Sequence, residues 1–377
     1  MSLVVLKFGG TSVSTKERRQ QALGKIISER EEGNDVVAVV SAMGRRGDPY
    51  ATDTFLDMLQ DISPRVSSRT KDLIAGCGET IAACLVAEEL AAAGYPAVPV
   101  TGLQAGIRTD SRFTDGLVQK VETDYIKTIL AGGAVAVVTG FQGYNEALDL
   151  VTLGRGGSDI TAIVLGGTLE ADGVVIYTDV PGIAFTDPRL VPSSPFLSAI
   201  AFAPMYVLAM AGAKVVHPRA VSEAIRFDRP FWVRSTFSDD PGTLIGEPGE
   251  APGGLYGISL MTDVYLARGN TGASGELKAL SCNEWFYKSM PQTESAIVEQ
   301  AKAKDLTPSC ELKEVGVVTL QWESDSGVIL KDVAETLEIQ GIKVEEVFEV
   351  PGGGAWVVNA DKARDAVLVL YRAPLHR

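Results

Sequence analysis

The sequence predicts an α/β protein in which a largely parallel sheet lies between helices, followed by a smaller α+β region. Between Leu3 and Phe237, short apolar runs rich in β-branched residues alternate with longer segments of helical period. This pattern is typical of parallel strands that are buried on both faces. Gly246 to Gly254 hold four glycines and two prolines in nine positions, which predicts a linker. A chain of 377 residues is long enough for two or three domains.

Six apolar runs predict the strands of the first sheet, and the segments between them predict the helices that cross over its faces. These runs are Leu3–Phe8, Val36–Val40, Ala97–Val100, Val135–Val138, Val174–Tyr177 and Phe231–Val233. Ligands of such sheets bind at the carboxyl ends of the strands. The residues that directly follow each run are therefore the candidates for chemistry.

The C-terminal region predicts the order strand, helix, strand, strand, helix, which is most of a ferredoxin-like unit. The segments are Gly316–Gln321, Val328–Ile339, Ile342–Val350, Ala355–Asn359 and Lys362–Tyr371, with a turn at Pro351–Gly354. Ile258–Leu266 is strand-like, but the residues from there to Leu312 have no clear period and receive no assignment. We therefore expect a first domain over residues 1–246, a linker over 247–254 and a second region over 255–377.

The charge and the residue types exclude several classes of protein. Lys and Arg number 34 against 48 Asp and Glu, a net charge of −14, which disfavours binding to nucleic acid and to anionic membranes. Four cysteines without a C-x-x-C pair and two histidines make a zinc site and a disulfide framework improbable. No apolar run approaches the roughly 20 residues that span a bilayer, and no basic leader precedes the first strand. We expect a cytoplasmic protein.

Lys7, Gly9 and Gly10 follow the first predicted strand. Glycines at a strand end let the backbone approach a phosphate closely, and a lysine beside them supplies a cation. No G-x-x-x-x-G-K-[ST] motif occurs, so this would be a phosphate cradle other than the P-loop. The alternative is a plain glycine turn with a solvent-exposed lysine.

Three glycines and Arg155 lie just ahead of a predicted helix at Ile160–Leu165. Free N–H groups at a helix start attract anions, and the planar guanidinium of Arg155 suits a carboxylate or a phosphate. Asp159 is either a catalytic group or the N-terminal cap of this helix.

Two further segments have weaker signals. Thr178 and Asp179 follow a predicted strand in a sequence that also forms ordinary turns, and Arg189 lies a few residues beyond. Lys214 follows a glycine turn, where an exposed lysine is the default explanation. Together, the cations and glycine-rich strand ends would neutralise several negative charges, as phosphoryl transfer requires. Mg²⁺ would then be held mostly by nucleotide phosphates, and no protein metal cage is expected.

Taken in order, these motifs resemble those of the aspartokinases of the amino-acid kinase superfamily. The similarity covers roughly residues 3–246 without a long gap. The matching motifs are KFGGTS from Lys7, SAMG from Ser41, GET from Gly78, TGFQG from Thr139, TLGRGGSD from Thr152, YTDVPG from Tyr177, DPR from Asp187, GAKVVHPRAV from Gly212 and VRSTFSD from Val233. The resemblance implies an amino-acid kinase fold followed by an ACT-type regulatory or dimerisation region whose first unit is degenerate.

The resemblance also implies an activity, the ATP-dependent phosphorylation of the β-carboxylate of L-aspartate, which begins the route to lysine, threonine and methionine. The implied ligands are L-aspartate and ATP with Mg²⁺, and a homodimer is the expected assembly. We expect the catalytic residues to be Lys7, Lys214 and Asp159. The resemblance assigns the phosphoryl group to Lys7 and the α-carboxylate to Arg155, and it assigns the α-ammonium to Glu79. It assigns the reacting carboxylate to Ser41 and Thr52, and the nucleotide contacts to Lys7, Gly9, Gly10, Thr178, Asp179, Arg189 and Lys214.

Two alternatives stay open: an amino-acid kinase for another acidic substrate such as glutamate, and a non-catalytic amino-acid-binding regulatory protein. Two features depart from the family pattern. Ala184-Phe185 stands where a tyrosine is usual, and Asp325-Ser326-Gly327 lacks the proline of an effector-binding turn. Because the first ACT unit fits only in shortened form, we expect inhibition by lysine or threonine to be weak or absent.

Overall fold

The structure is a computed structural model that describes residues 2–249, 254–270, 274–306, 310–323, 328 and 330–373. It divides into two compact units. The first comprises Met1–Ile183 and Arg219–Glu247, and the second comprises Ala184–Pro218 and Pro248–Arg377. The chain passes between the units after Glu247, inside the predicted linker, whose residues 250–253 lie outside the described part. The predicted turn at Asp325-Ser326-Gly327 also lies outside it.

The described strands and helices are numbered in chain order. The strands are β1 (Leu3–Phe8), β2 (Asp35–Val40), β3 (Ala97–Val100), β4 (Ile107–Thr109), β5 (Val118–Val121), β6 (Val135–Thr139), β7 (Gln142–Tyr144), β8 (Leu150–Thr152), β9 (Gly173–Thr178), β10 (Ala199–Ile200), β11 (Phe231–Ser235), β12 (Thr243–Ile245), β13 (Leu255–Asn270), β14 (Tyr287–Ser289), β15 (Thr293–Glu299), β16 (Glu311–Trp322), β17 (Val344–Val350) and β18 (Gly353–Asn359). The helices are α1 (Gly10–Val13), α2 (Lys16–Glu31), α3 (Thr52–Ile62), α4 (Ser68–Ala75), α5 (Cys77–Ala92), α6 (Asp124–Ala131), α7 (Gly157–Thr168), α8 (Phe202–Met210), α9 (Pro218–Phe227), α10 (Ser274–Leu280), α11 (Gln300–Ala303), α12 (Leu330–Ile339) and α13 (Ala363–Arg372).

The main sheet of the first unit confirms the six predicted strands. Its strand order is β12-β11-β9-β1-β2-β6-β3. All neighbours are parallel except β12, which runs antiparallel to β11. A smaller sheet, β5-β4-β7-β8, belongs to the same unit.

Helices cover both faces of the main sheet. The apolar sides of α2 and α5 pack against the face that includes Leu6 and Phe8. Gly166 of α7 lies against Val5 and Val174 on the opposite face, where a Cβ atom would clash with the Val174 side chain. Because side chains alternate between the faces of a strand, the odd and even residues of β1 meet different helices. This three-layer arrangement is the α/β class that the apolar strands predict.

The second unit is built on an antiparallel sheet with the strand order β14-β15-β13-β16-β18-β17. The predicted order of strand, helix, strand, strand, helix is confirmed by β16, α12, β17, β18 and α13. Side chains of α12 and α13 pack on one face of the sheet, around the fully buried Trp356. Val207 of α8 and Phe286 contribute to the core on the other face. In the described part of the chain, no helix is both long and apolar enough to cross a membrane.

The segment Ala184–Pro218 departs from the predicted domain range, since it packs with the second unit. Phe185 is buried in the core of that unit, and its carbonyl oxygen accepts a hydrogen bond from the N–H of Ile258 (2.8 Å). Its ring also contacts the ring of Tyr371, with centroids 6.1 Å apart. Phe185 therefore serves packing within the core of the second unit.

Candidate active site

A cavity of about 310 Å³ lies within the first unit, at the carboxyl ends of β1 and β2 and the starts of α3, α5 and α7. It brings together six of the predicted site residues. Its lining consists of Lys7, Ser41, Thr52, Glu79, Phe141, Gly154, Arg155, Gly156, Gly157, Ser158 and Asp159. These residues come from segments far apart in sequence, which is expected where parallel strands end at one edge of a sheet.

Lys7 and Asp159 form an ion pair in this cavity. The Nζ atom of Lys7 lies 2.7 Å from Oδ1 of Asp159, and both side chains are about one-tenth exposed. The alternative of a glycine turn with a solvent-exposed lysine is therefore wrong, because Lys7 lies in the cavity and pairs with Asp159. The helix-cap alternative for Asp159 is also wrong. The N-cap of α7 is Gly156, with no side-chain cap, and Asp159 lies in the first helical turn.

The glycines after β1 allow a close approach of two backbone segments. A Cβ atom on Gly10 would lie 2.6 Å from the carbonyl oxygen of Ala42 and 2.8 Å from that of Gly44, too close for any side chain. Gly9 has more room, since its Cβ atom would lie 3.5 Å from Nζ of Lys7. The end of β1 therefore lies directly against the loop that contains Ser41.

Glu79 is a buried carboxylic acid, only 3% exposed, in the first turn of α5. The N–H of Ala42 donates to its Oε1 atom (3.1 Å). Its Oε2 atom is buried without a hydrogen-bond partner among the described residues. Burial raises the pKa of Glu79 to about 8, although the hydrogen bonds from the backbone of Ala42 and of Glu79 itself act to lower it. A buried acceptor without a partner is costly, so Glu79 is prepared to receive a cationic donor.

Arg155 is exposed to the cavity and makes no hydrogen bond or ion pair within the described part of the chain. It lies between Gly154 and Gly156, which both have φ near +71°, a conformation that glycine adopts at little cost. The two glycines turn the backbone sharply and present the guanidinium at the start of α7. The cavity thus brings together a buried acid and an arginine that has no partner among the described residues.

Two charged residues hold the backbone just ahead of Arg155. Asp72, which is buried, accepts hydrogen bonds from the N–H (3.0 Å) and the hydroxyl (2.8 Å) of Thr152. Arg219 pairs with Asp115 and donates to the carbonyl oxygens of Leu153 (2.6 Å) and Gly116 (2.7 Å). The turn that contains Arg155 is thereby fixed from two sides.

Thr178 is the last residue of β9, the strand next to β1 in the sheet, and Asp179 follows it. Neither residue belongs to the cavity lining. Asp179 forms an ion pair with Arg45 (2.7 Å), whose Nε atom also donates to the hydroxyl of Thr11 (3.3 Å). Arg45 follows the SAMG motif and was not selected from the sequence. Its link to Asp179 joins two segments that the resemblance assigns to different ligands.

Arg189 and Lys214 belong to the second unit, and the cavity lining includes neither residue. Arg189 pairs with Asp187 through three side-chain hydrogen bonds of 2.9, 3.1 and 2.5 Å. The pKa of Asp187 is lowered, chiefly by its hydrogen bond with Arg189 and in smaller part by the charge of Lys214. The two predicted nucleotide contacts thus lie near one acidic group of their own unit.

Phe141 is a cavity residue that the sequence reasoning missed. It has a φ of +68°, which is strained for an aromatic residue. Its N–H donates to the hydroxyl of Thr161 (3.1 Å), and its carbonyl oxygen accepts from the N–H of Leu153 (2.9 Å). The only available signal was its place in the TGFQG motif.

The model of the Amino acid kinase family matches residues 2–235 of the chain. Aspartokinase 1 of Bacillus subtilis is 43% identical over 245 residues, which are 65% of this chain and 61% of that protein. The aspartokinase of Geobacillus stearothermophilus is 42% identical over 247 residues, which are 66% of this chain and 60% of that protein. The chain thus spans about three-fifths of the length of these curated relatives.

Solved structures show a similar fold over nearly the whole chain. Escherichia coli aspartokinase III in complex with aspartate and ADP has a TM-score of 0.80 at 23% identity, over 98% of this chain and 99% of that one. The aspartate kinase from Synechocystis is 30% identical with a TM-score of 0.59, over 98% of this chain and 69% of that one.

Proposed function

This chain belongs to the amino acid kinase family, and on that premise we propose that it phosphorylates the β-carboxylate of L-aspartate with ATP to give 4-phospho-L-aspartate. The curated relatives described above are aspartokinases. The observation that carries the proposal is the set of charges in one cavity. The Lys7–Asp159 pair, the buried Glu79 and Arg155, which has no partner among the described residues, occur there together.

Glu79 and Arg155 would select an α-amino acid. The unpartnered Oε2 atom of Glu79 would accept a hydrogen bond from the α-ammonium group, and the guanidinium fork of Arg155 would bind the α-carboxylate. A ligand that lacks either charge leaves a group of the site unpaired, which costs affinity. The hydroxyls of Ser41 and Thr52, on the same cavity, would then orient the β-carboxylate.

The reaction needs no general base, because the β-carboxylate is already ionised at neutral pH. One of its oxygens attacks the γ-phosphorus of ATP, a new O–P bond forms, and the bond to the leaving ADP oxygen breaks. The protein must hold two anions in line and screen their repulsion. Lys7 would supply this positive charge to the transferring phosphoryl group, and Asp159 would hold its ammonium group in place.

The nucleotide would be held by the backbone at Gly9 and Gly10 and by Thr178 and Asp179. The assignment of Arg189 and Lys214 to the nucleotide stays a prediction of the resemblance. The described residues include no cluster of three or more His, Cys, Asp or Glu side chains that could hold a metal ion. Mg²⁺ would therefore arrive with the ATP phosphates, whose negative charge it neutralises.

The test is ADP release by the purified protein with ATP and Mg²⁺, measured with aspartate, with glutamate and without an amino acid. We expect saturable turnover that depends on aspartate. Turnover with glutamate alone would assign the chain to another acidic substrate. Aspartate binding by calorimetry without any ADP release would favour a regulatory binding protein.

We also propose that the protein works in the cytoplasm, where ATP and aspartate are available, and that it forms a homodimer. In the six-stranded sheet of the second unit, β14 and β17 each have a neighbour on one side only among the described strands, and an open strand edge is a template for pairing with another chain. Light scattering after size-exclusion chromatography gives the mass directly. A monomer at micromolar concentration would contradict the homodimer.

A further inference from the structure

Gln142 is almost completely buried, with 1% of its surface exposed, and its side chain makes four hydrogen bonds. The Nε2 atom donates to the carbonyl oxygen of Gly76 (2.7 Å) and to the hydroxyl of Thr80 (3.1 Å). The Oε1 atom accepts from the N–H of Gly102 (3.2 Å) and from the hydroxyl of Thr139 (2.8 Å). One amide thus joins the start of α5 to two other segments of the first unit.

The start of α5 has no side-chain cap of its own. Its N-cap, Gly76, has no side chain that could cap the helix. The first turn is tightly packed, since a Cβ atom on Gly78 would lie 2.6 Å from the Cβ atom of Ala42 and 3.0 Å from the carbonyl oxygen of Tyr50. A small movement of this turn would therefore change contacts along the cavity wall.

Glu79 lies in the same turn, and its carboxylate depends on the helix for its position. No cationic side chain pairs with it in the described part of the chain, and the N–H of Ala42 donates to its Oε1 atom. The two groups that Gln142 binds on α5, Gly76 and Thr80, lie on either side of Glu79 in sequence. A displacement of the helix start would move the carboxylate relative to Arg155 by a similar amount.

We infer that Gln142 is a positioning residue that fixes the first turn of α5, and with it the Glu79 carboxylate, at the subsite for the amino-acid substrate. The inference rests on the proposed function, since it names a determinant of substrate recognition at the same site. Gln142 itself does not line the cavity, so it acts through Glu79. Its neighbour Phe141 lines the cavity, which places the strained turn and the amide in one short segment.

The test compares Gln142→Leu, which keeps the approximate volume but removes the four hydrogen bonds, with Gln142→Glu. A buried neutral carboxyl group can still accept at one oxygen and donate at the other, so the second variant should recover part of the effect. Gln104→Leu is the matched control. The Oε1 atom of Gln104 accepts from the N–H and hydroxyl of Thr101 (3.0 and 3.1 Å), so these hydrogen bonds stay within one turn.

For Gln142→Leu we expect the KM for aspartate to rise about tenfold or more, while the KM for ATP changes less than about twofold and kcat less than about threefold. We expect Gln142→Glu to lie between this variant and the wild type, and Gln104→Leu to match the wild type. If Gln142→Leu does not fold, the same comparison is made with Gln142→Glu alone.

Equal effects on both KM values, or a loss of kcat alone, would mean that Gln142 serves only the general fold and would overturn the inference. An unchanged KM for aspartate would overturn it too. In each of these cases the wild-type protein still phosphorylates aspartate, so the proposed function stands. A wild-type protein without aspartate-dependent turnover would instead remove the proposed function and the inference together.

Discussion

Glu79 is a single site residue whose burial lowers the free energy of unfolding at neutral and higher pH. Folding removes its carboxyl group from water, and one backbone N–H does not replace the lost hydration. The pKa is therefore raised from 4.5 to about 8. In the unfolded chain the group ionises at its ordinary pKa, so the unfolded state binds fewer protons than the folded state between these values. By linkage, the folded protein loses stability as the pH rises through this window.

We therefore expect Glu79→Gln to stabilise the protein relative to the wild type at pH 8 and to make little difference at pH 4.5. Each unit of pKa shift corresponds to about 1.4 kcal/mol, so the gain should reach a few kcal/mol. Urea unfolding at pH 5, 6.5 and 8 measures it, with Glu88→Gln, an exposed residue of the same helix, as the control. A difference that is constant with pH would contradict a buried, protonated Glu79.

The same substitution should raise the KM for aspartate at least about tenfold, because the partner of the α-ammonium group is lost.

Arg155 supports a separate prediction, because it makes no ion pair in the described part of the chain and its removal leaves no buried charge behind. Arg155→Ala should raise the KM for aspartate by about 10- to 100-fold, the usual worth of a charged hydrogen bond, with a much smaller effect on the KM for ATP. Arg155→Lys keeps the charge but loses the planar fork, so its KM for aspartate should lie between those of the wild type and Arg155→Ala. Steady-state kinetics with each substrate varied in turn measures the effect. Equal changes in both KM values would place Arg155 on the nucleotide.

Most charged residues of this cavity could be predicted from the sequence, but their burial and their contacts could not. Lys7, Glu79 and Arg155 stand out by type and by their place after a strand or at a helix start. The burial of Lys7 against Asp159 could not be predicted, because it depends on α7 packing across β1. Gln142 and Phe141 were missed for a related reason. Neither residue type signals chemistry, and their roles follow from contacts between distant segments.

At the scale of elements, two adjacent glycines, Gly9 and Gly10, join β1 to α1, and their different surroundings predict different effects of substitution on stability. Gly10→Ala would place a methyl group against two carbonyl oxygens of the loop after β2. We expect a loss of about 1–3 kcal/mol in the free energy of unfolding, as for other overpacked sites. Gly9→Ala is the matched control, because its methyl group finds ordinary contact distances. Thermal and urea unfolding compare the two, and equal stabilities would show that the loop after β2 yields to the added methyl group.

The strands of the first sheet were predictable because burial on both faces makes each of them continuously apolar. β13 was only partly predicted, as Ile258–Leu266, although it extends from Leu255 to Asn270. Its pairing with β16 shifts register between Met261 and Val264, and Asp263 has a φ of +60°. A bulge of this kind reverses which residues face the core. The alternation of apolar and polar residues is thereby broken, so a period of two cannot be followed through it.

For the molecule as a whole, the chain enters the second unit twice, at Ala184–Pro218 and again after Glu247. Composition marks only the second passage, because glycine and proline cluster there. The first passage has no linker signal, and its apolar residues find their partners more than 50 positions later, as Phe185 does with Ile258. Non-local contacts of this type decide the division of the chain, so a boundary taken from composition alone assigned the segment to the first domain.

The second unit is the part of the molecule on which the expected weak or absent inhibition by lysine and threonine depends. Residues 257–312, which looked irregular, form a long strand and a paired edge of the sheet in the part that the structure describes. They border a cavity of about 450 Å³ that includes Arg268 and the buried Glu294.

We predict that lysine and threonine, alone or together at millimolar concentration, change the rate of ADP release less than about twofold at an aspartate concentration near the KM. An effector changes activity only if it binds two states of the protein with different affinity. The sequence predicts one complete ferredoxin-like unit in the second region, formed by β16, α12, β17, β18 and α13, and we expect one such unit to make few contacts that distinguish the two states. Strong inhibition by lysine would contradict this expectation. The Glu294→Gln variant would then decide whether the cavity of the second unit is responsible, since the loss of one carboxylate should abolish the response to a cationic amino acid and leave turnover without effector unchanged.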